Sequence, residues 1–199
     1  MKKILLLGCL LLLCGCSIVR IDTNSVDNIV SVVLSKNNDL YNQIGKGYKY
    51  YVPRGVSYID TNDYNDVLYS DGNYYYLYID VISYYYNVSK EYVEDQNAYY
   101  SRKIDINGKQ GYLEINQQDN GRYFIEFMYN YSKIEVEADY DDINDIVLNT
   151  SYILSTVKFN DNVIKVILDE DFLVSEEKYD IFTSKKETDN FLKLEDEVE

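Results

Sequence analysis

The chain contains no histidine and no tryptophan, a single proline, and three cysteines that all fall within the first sixteen residues. Each absence removes a class of chemistry. Without histidine, and without a cysteine beyond Cys16, Ser-His and Cys-His nucleophile pairs are excluded. The common zinc sites, which draw on the same two residue types, go with them. No disulfide can form within the chain beyond residue 16, and a chain of 199 residues does not need one as a staple. Basic residues are scarce as well: 19 Lys and Arg stand against 34 Asp and Glu, a formal charge of −15. Nucleic acid is thereby an unfavourable partner, since its binding rests on neutralising phosphates. Cationic partners or divalent cations are the favoured company. There is no Gly-rich phosphate loop and no cofactor motif, so no cofactor is expected.

What is present begins at the N-terminus. Lys2 and Lys3 precede an almost wholly apolar run, Ile4 to Leu13, interrupted only by Gly8 and Cys9. That run is too short to cross a bilayer, which takes about 20 helical residues. A charged start, a short apolar stretch and small residues before the break mark an export signal. Leu13-Cys14-Gly15-Cys16 resembles the bacterial lipoprotein signal, with Cys14 a less usual occupant of its position. The resemblance implies that the Cys16 thiol receives a diacylglyceryl group and that residues 1–15 are removed. Two acyl chains give stable anchoring where one does not. An ordinary cleaved signal or an uncleaved anchor are the alternatives. Loss of Lys2 and Lys3 takes the charge to −17, and anionic headgroups repel such a domain, leaving the lipid to hold it. Abundant Tyr, Asn, Ile and Lys reflect AT-rich codons and point to a low-GC, Gram-positive bacterium.

Residues 16–24 form a short membrane-proximal tether, and 25–192 one extracytoplasmic domain with a partly docked acidic C-terminal region. Residues 193–199 are expected to fray. Ser25 starts a helix over 26–36, with Ile29, Val30, Val33 and Leu34 on one stripe. Strands are predicted at 48–52, 56–60, 67–69 and 74–86, the last with large residues on both faces. A meander follows at 99–106, 112–116, 122–130 and 132–138. Asp71-Gly72, Asn107-Gly108 and Asn120-Gly121 supply hairpin turns. In the strand 132–138, Ile134, Val136 and Ala138 alternate with Lys133, Glu135 and Glu137, which predicts one buried and one wet face. A long helix over 141–157 carries Ile143, Ile146, Val147, Ile153, Leu154 and Val157 on one side. Val163 to Leu168 fits a helix, with a strand as the alternative. The class is α+β: an antiparallel sheet of about six to eight strands packed against helices. From Gly47-Tyr-Lys-Tyr-Tyr-Val-Pro53 to the helix ending near Phe159, the element order is similar to the PsbP/Mog1-like α/β sandwich. That family serves largely as accessory or assembly factors, and the likeness is one of fold.

Candidate sites are few. Asp60, Asn62, Asp63, Asn65 and Asp66 form one oxygen-rich cluster, and Asp139, Asp141, Asp142 and Asp145 another. Asp60, Asp63 and Asp66 are the calcium candidates, though the spacing departs from an EF-hand and local turn and helix-start roles explain the same residues. Ser175-Glu-Glu-Lys178 has the S-x-x-K spacing of penicillin-recognising enzymes, but K-T-G is missing and the motif order is wrong. No catalytic residue is assigned. Tyrosine is the unusual feature: 17 of 24 lie between Tyr41 and Tyr100. Tyr76, Tyr78 and Tyr84, on one face of the strand 74–86, are the candidate interaction face for an envelope protein or a glycan. The competing reading makes them strand formers half-buried under helices. The expected function is therefore a lipid-anchored, non-catalytic accessory or interaction protein of the cell envelope. A glycan-, peptide- or small-ligand-binding lipoprotein and a carboxylate-only hydrolase are the alternatives.

Overall fold

The computed structural model describes residues 21–62, 65–169 and 181–185. The Cys16 lipidation site, Asp63 and the 193–199 tail lie outside them. In chain order the elements are α1 (Val26–Ser35), β1 (Gln43–Ile44), β2 (Tyr48–Tyr50), β3 (Ser57–Asn62), β4 (Asn65–Ser70), β5 (Asn73–Ile79) and α2 (Val81–Tyr85). Then come β6 (Tyr100–Ile106), β7 (Lys109–Gln117), β8 (Tyr123–Tyr129), β9 (Ser132–Ala138), α3 (Ile143–Thr156), β10 (Lys158–Phe159) and α4 (Asp161–Asp169). The α+β class and the long helix over the sheet are as the sequence predicts.

Seven strands form one antiparallel sheet in the order β3-β4-β5-β9-β8-β7-β6, and β1-β2-β10 form a small second sheet. Its register is set by two-residue turns in the left-handed region. Asp71 (φ 47°) and Gly72 (φ 87°) join β4 to β5, and Asn107 (φ 56°) and Gly108 (φ 72°) join β6 to β7. Asn, Asp and Gly bear such angles at least cost, which is why these hairpins are legible in the sequence. Asn130 (φ 52°) and Tyr131 (φ 60°) make a third such turn between β8 and β9, with no glycine to announce it. After β5 the chain crosses to the far edge through α2 and residues 86–99, then returns as the meander β6 to β9 until β9 pairs with β5.

One face of the large sheet is closed by helices. Ser25 caps α1, its hydroxyl accepting from the Asn28 amide at 3.3 Å, and Ile29, Val30, Val33 and Leu34 are buried. From α3 the buried residues include Ile143, Ile146, Val147, Ile153 and Leu154. Beneath them the register lines up Leu77, Ile134, Phe127 and Leu113 across four adjacent strands, each fully buried. Removing that apolar surface from water is the main driving force of the fold.

Three expectations are corrected. The polar stretch between the predicted strands 56–60 and 67–69 is itself paired, Asp60 with Val67 and Thr61 with Asp66 in the β3–β4 ladder. The strand 74–86 ends at Ile79: the Asp80 carboxylate accepts from the Ser83 amide at 2.8 Å and starts α2. The face of β9 expected to be wet is closed at Lys133 and Glu135, each 1% exposed, while Glu137 stays partly exposed. Residues 161–169 resolve the helix-or-strand alternative as a helix.

Candidate functional site

Alternation along β5 sends Tyr75, Leu77 and Ile79 to the helix side and Tyr74, Tyr76 and Tyr78 to the other. On that second side exposure falls steeply: Tyr74 is 50% exposed, Tyr76 is half-buried and Tyr78 is 2% exposed. Tyr78 lies in a small core with Tyr112, Met128 and Ile181. Tyr84 does not share this face, since it follows the Asp80 break. Its ring stacks on Phe159 with centroids 3.9 Å apart and planes at 13°, and its hydroxyl donates to Asp161 at 2.9 Å. The three tyrosines read as one face are thus divided between two elements, and Tyr78 is sealed by the chain itself.

The same side of the sheet carries a feature that strand alternation alone did not reveal. Register places Tyr76, Glu135, Glu126, Glu114 and Ser101 directly opposite one another across five strands. The three glutamates are each no more than 1% exposed. Like charges directly opposite are destabilising, so each must be compensated. The Lys133 ammonium lies 2.6 Å from Glu135 Oε1 and 3.4 Å from Glu126 Oε1. Glu126 Oε2 accepts the Lys185 backbone N–H. Glu114 accepts from the Tyr92 hydroxyl and, at 2.8 Å, from the Asn116 amide. Tyr92 also stacks on Tyr112, with centroids 4.4 Å apart and planes at 7°, and the Tyr112 hydroxyl donates to the Ile181 carbonyl at 3.2 Å.

One lysine stands against three buried carboxylates, and Glu126 responds by keeping its proton to higher pH. Burial pushes Glu126 up to about 7, with Lys133 opposing the shift and Glu135 adding to it. Burial, then the bond to Glu114, raises the Tyr92 hydroxyl above its usual range, which keeps it a donor. A carboxyl group near 7 has the value wanted of a general acid. Glu126 is nevertheless 0% exposed and bonded to the 181–185 segment.

Beside this cluster opens a cleft of about 520 Å³ between the 87–92 crossover, the β6–β7 hairpin and Phe182. Tyr112 and Met128 lie at its floor, with Tyr92, Tyr131 and Phe182 around it and Asn87, Gln110 and Asn130 supplying amides. Among its lining residues the one carboxylate, Glu91, is ion-paired with Lys103 at 3.2 Å. The volume is that of a small-ligand site. Of the calcium candidates, Asp60 is exposed on β3, while Asp66 is 5% exposed and accepts from the Tyr50 hydroxyl at 2.7 Å and the Tyr48 hydroxyl at 3.4 Å. Sequence reasoning missed the glutamate ladder, because the turn at 130–131 that fixes Glu126 opposite Glu135 carries no glycine to announce it.

Comparison with protein-family models and with curated proteins gives no match. Among the described residues, no helix is long and apolar enough to cross a membrane.

Proposed function

We propose that the protein is a lipid-anchored, non-catalytic interaction protein of the bacterial cell envelope, tethered through Cys16. It acts by holding a partner or ligand in the cleft beside the glutamate ladder. The observation that carries this reading is the separation of the three ladder glutamates from the open cleft. Among the described residues the one carboxyl group raised to near neutrality, Glu126, is sealed, while the cleft offers aromatic rings, amides, the lysines Lys90, Lys103 and Lys109, and a carboxylate already engaged by Lys103. Hydrolysis by carboxylates alone needs two of them facing one substrate bond; rings and amides are the groups of recognition.

Two measurements test the two halves. Mass spectrometry of the membrane-extracted protein is expected to find a diacylglyceryl-modified Cys16 at the mature N-terminus; an intact Met1 or a free Cys16 thiol refutes the anchor. A photo-crosslinking residue at Gln110, in the cleft, is expected to give a discrete adduct on intact cells, and one at Val163 on α4 none. Equal labelling from both positions removes the cleft from the account.

A further inference from the structure

A second recess, of about 410 Å³, lies between the small sheet and the β3–β4 edge of the large one. It belongs to the helix side of the sheet and is separate from the cleft above. Register explains its floor. Asp66 occupies the same row as Leu77, Ile134, Phe127 and Leu113, so a carboxylate ends an otherwise apolar line. Tyr48, Tyr50 and Tyr58 surround it. Tyr48 and Tyr50 stack at 6.2 Å and both donate to Asp66 Oδ2. Among the described residues Oδ1 accepts no hydrogen bond, and no cation pairs with Asp66. Lys46, at the rim, is engaged with a partner of its own. Tyr58 stands at the mouth, 39% exposed. The recess is shaped in part by Gly45: a Cβ there would lie 2.2 Å from the Tyr48 ring, so only glycine lets the β1–β2 loop close over that tyrosine.

A carboxylate withdrawn from water without a counter-cation is costly, and phenol donors offset only part of the cost. What would complete the site is positive charge. The surrounding groups narrow its kind. Calcium sites draw on several carboxylate and carbonyl oxygens, whereas among the described residues Asp66 is the one carboxylate in a lining that holds three tyrosine rings, beside the Gln43 and Thr61 side chains. A quaternary ammonium donates no hydrogen bonds. It asks only for aromatic surface and a diffuse negative potential, and the recess offers three tyrosine rings and one carboxylate. The chain already seats a cation on a tyrosine nearby, with Lys49 Nζ 3.9 Å from the Tyr41 centroid. A net charge of −15 draws cations toward the surface.

We propose that the recess lined by Tyr48, Tyr50, Tyr58 and Asp66 binds a small quaternary alkylammonium solute, its charge against the Asp66 carboxylate and its methyl groups against the rings. The probe is choline, set against its uncharged isostere 3,3-dimethylbutan-1-ol, titrated calorimetrically into the full chain in a non-ionic detergent. Choline is expected to bind about tenfold or more tighter than the alcohol. Tyr58→Ala, at the exposed mouth, is expected to weaken choline by about tenfold at an unchanged melting temperature. Asp66→Asn is expected to erase the difference between the two ligands. Equal affinity for the alcohol, an unchanged affinity in Tyr58→Ala, or no choline binding up to millimolar concentrations overturns the proposal. Each of these results leaves the cleft on the opposite side of the sheet untouched.

Discussion

On the helix side of the large sheet, Leu77, Ile134, Phe127 and Leu113 stand in one row and disappear under α1 and α3. One residue earlier or later along the same four strands, on the opposite side, the row reads Tyr76, Glu135, Glu126 and Glu114. The apolar row and the three glutamates are both shielded from water, but they are closed by different physics. The apolar row gains by leaving water, in rough proportion to area, and asks nothing about protonation. The acidic row loses by leaving water. It is retained only because each carboxylate finds a lysine, a phenol, an amide or a proton. Its closure depends on partners and on pH, while that of the apolar row does not. A sheet with one face of each kind has one half whose stability is set by solution conditions.

The largest effect is expected where the acidic row has least redundancy. Among the described residues Lys133 is the one cation paired with both Glu126 and Glu135. Lys133→Met leaves two buried carboxylates without it and is expected to cost about 3–5 kcal/mol at pH 8. The cost should shrink at pH 5, where Glu126 is protonated. Urea melts at the two pH values measure both, and a small, pH-independent loss would erase the distinction between the faces.

The apolar face supplies the control. Ile146→Ala or Leu154→Ala, at positions 1% and 0% exposed, is expected to cost about 2–5 kcal/mol with little dependence on pH. A loss below about 1 kcal/mol at both positions would place α3 outside the core.

Glu126→Gln sharpens the comparison through its sign. The folded state raises Glu126 from 4.5 to about 7, so it favours the neutral carboxyl group. The stabilisation from the bound proton is complete below about 4.5 and is lost as pH rises through about 7, a change of roughly 3 kcal/mol at most. A glutamine is always neutral, so the variant should lack this slope and gain on the native chain above pH 7. Parallel stability curves for the two proteins would show that Glu126 titrates alike folded and unfolded.

The two faces also differed in how far the sequence disclosed them. The stripe of α3 and the Asp71-Gly72 and Asn107-Gly108 turns were legible because period and turn chemistry act locally. The acidic face was not. Lys133 and Glu135 alternate with Ile134 and Val136 as a solvent face does, and only long-range cover by Tyr92, Tyr112 and residues 181–185 makes it an interior. The break after Ile79 was hidden for a related reason. Hydrophobic alternation continues through Val81, and the decisive signal is the single Asp80 side chain capping at Ser83. Tyr131, in the left-handed region, turns the chain where no residue preference announces it. The recess around Asp66 joins β2 to β4 through the Tyr48 and Tyr50 hydroxyls, contacts that no local pattern encodes.

The smallest effect separates two tyrosines that the sequence had put together. Tyr78 is 2% exposed in the second core, and Tyr78→Ala, which leaves a ring-sized cavity, should rank with the core substitutions above. Tyr84 holds α2 against the start of α4 through a stack on Phe159 and a surface hydrogen bond to Asp161. The two contributions are separable. An exposed hydrogen bond exchanges readily with water and adds little, so Tyr84→Phe is expected to change stability by less than about 0.5 kcal/mol. The stacked ring contributes both area and geometry, so Tyr84→Ala should cost about 1–2 kcal/mol. Thermal melts of the two variants decide between them: a loss in Tyr84→Phe equal to that in Tyr84→Ala would assign the contact to the hydroxyl and not to the ring.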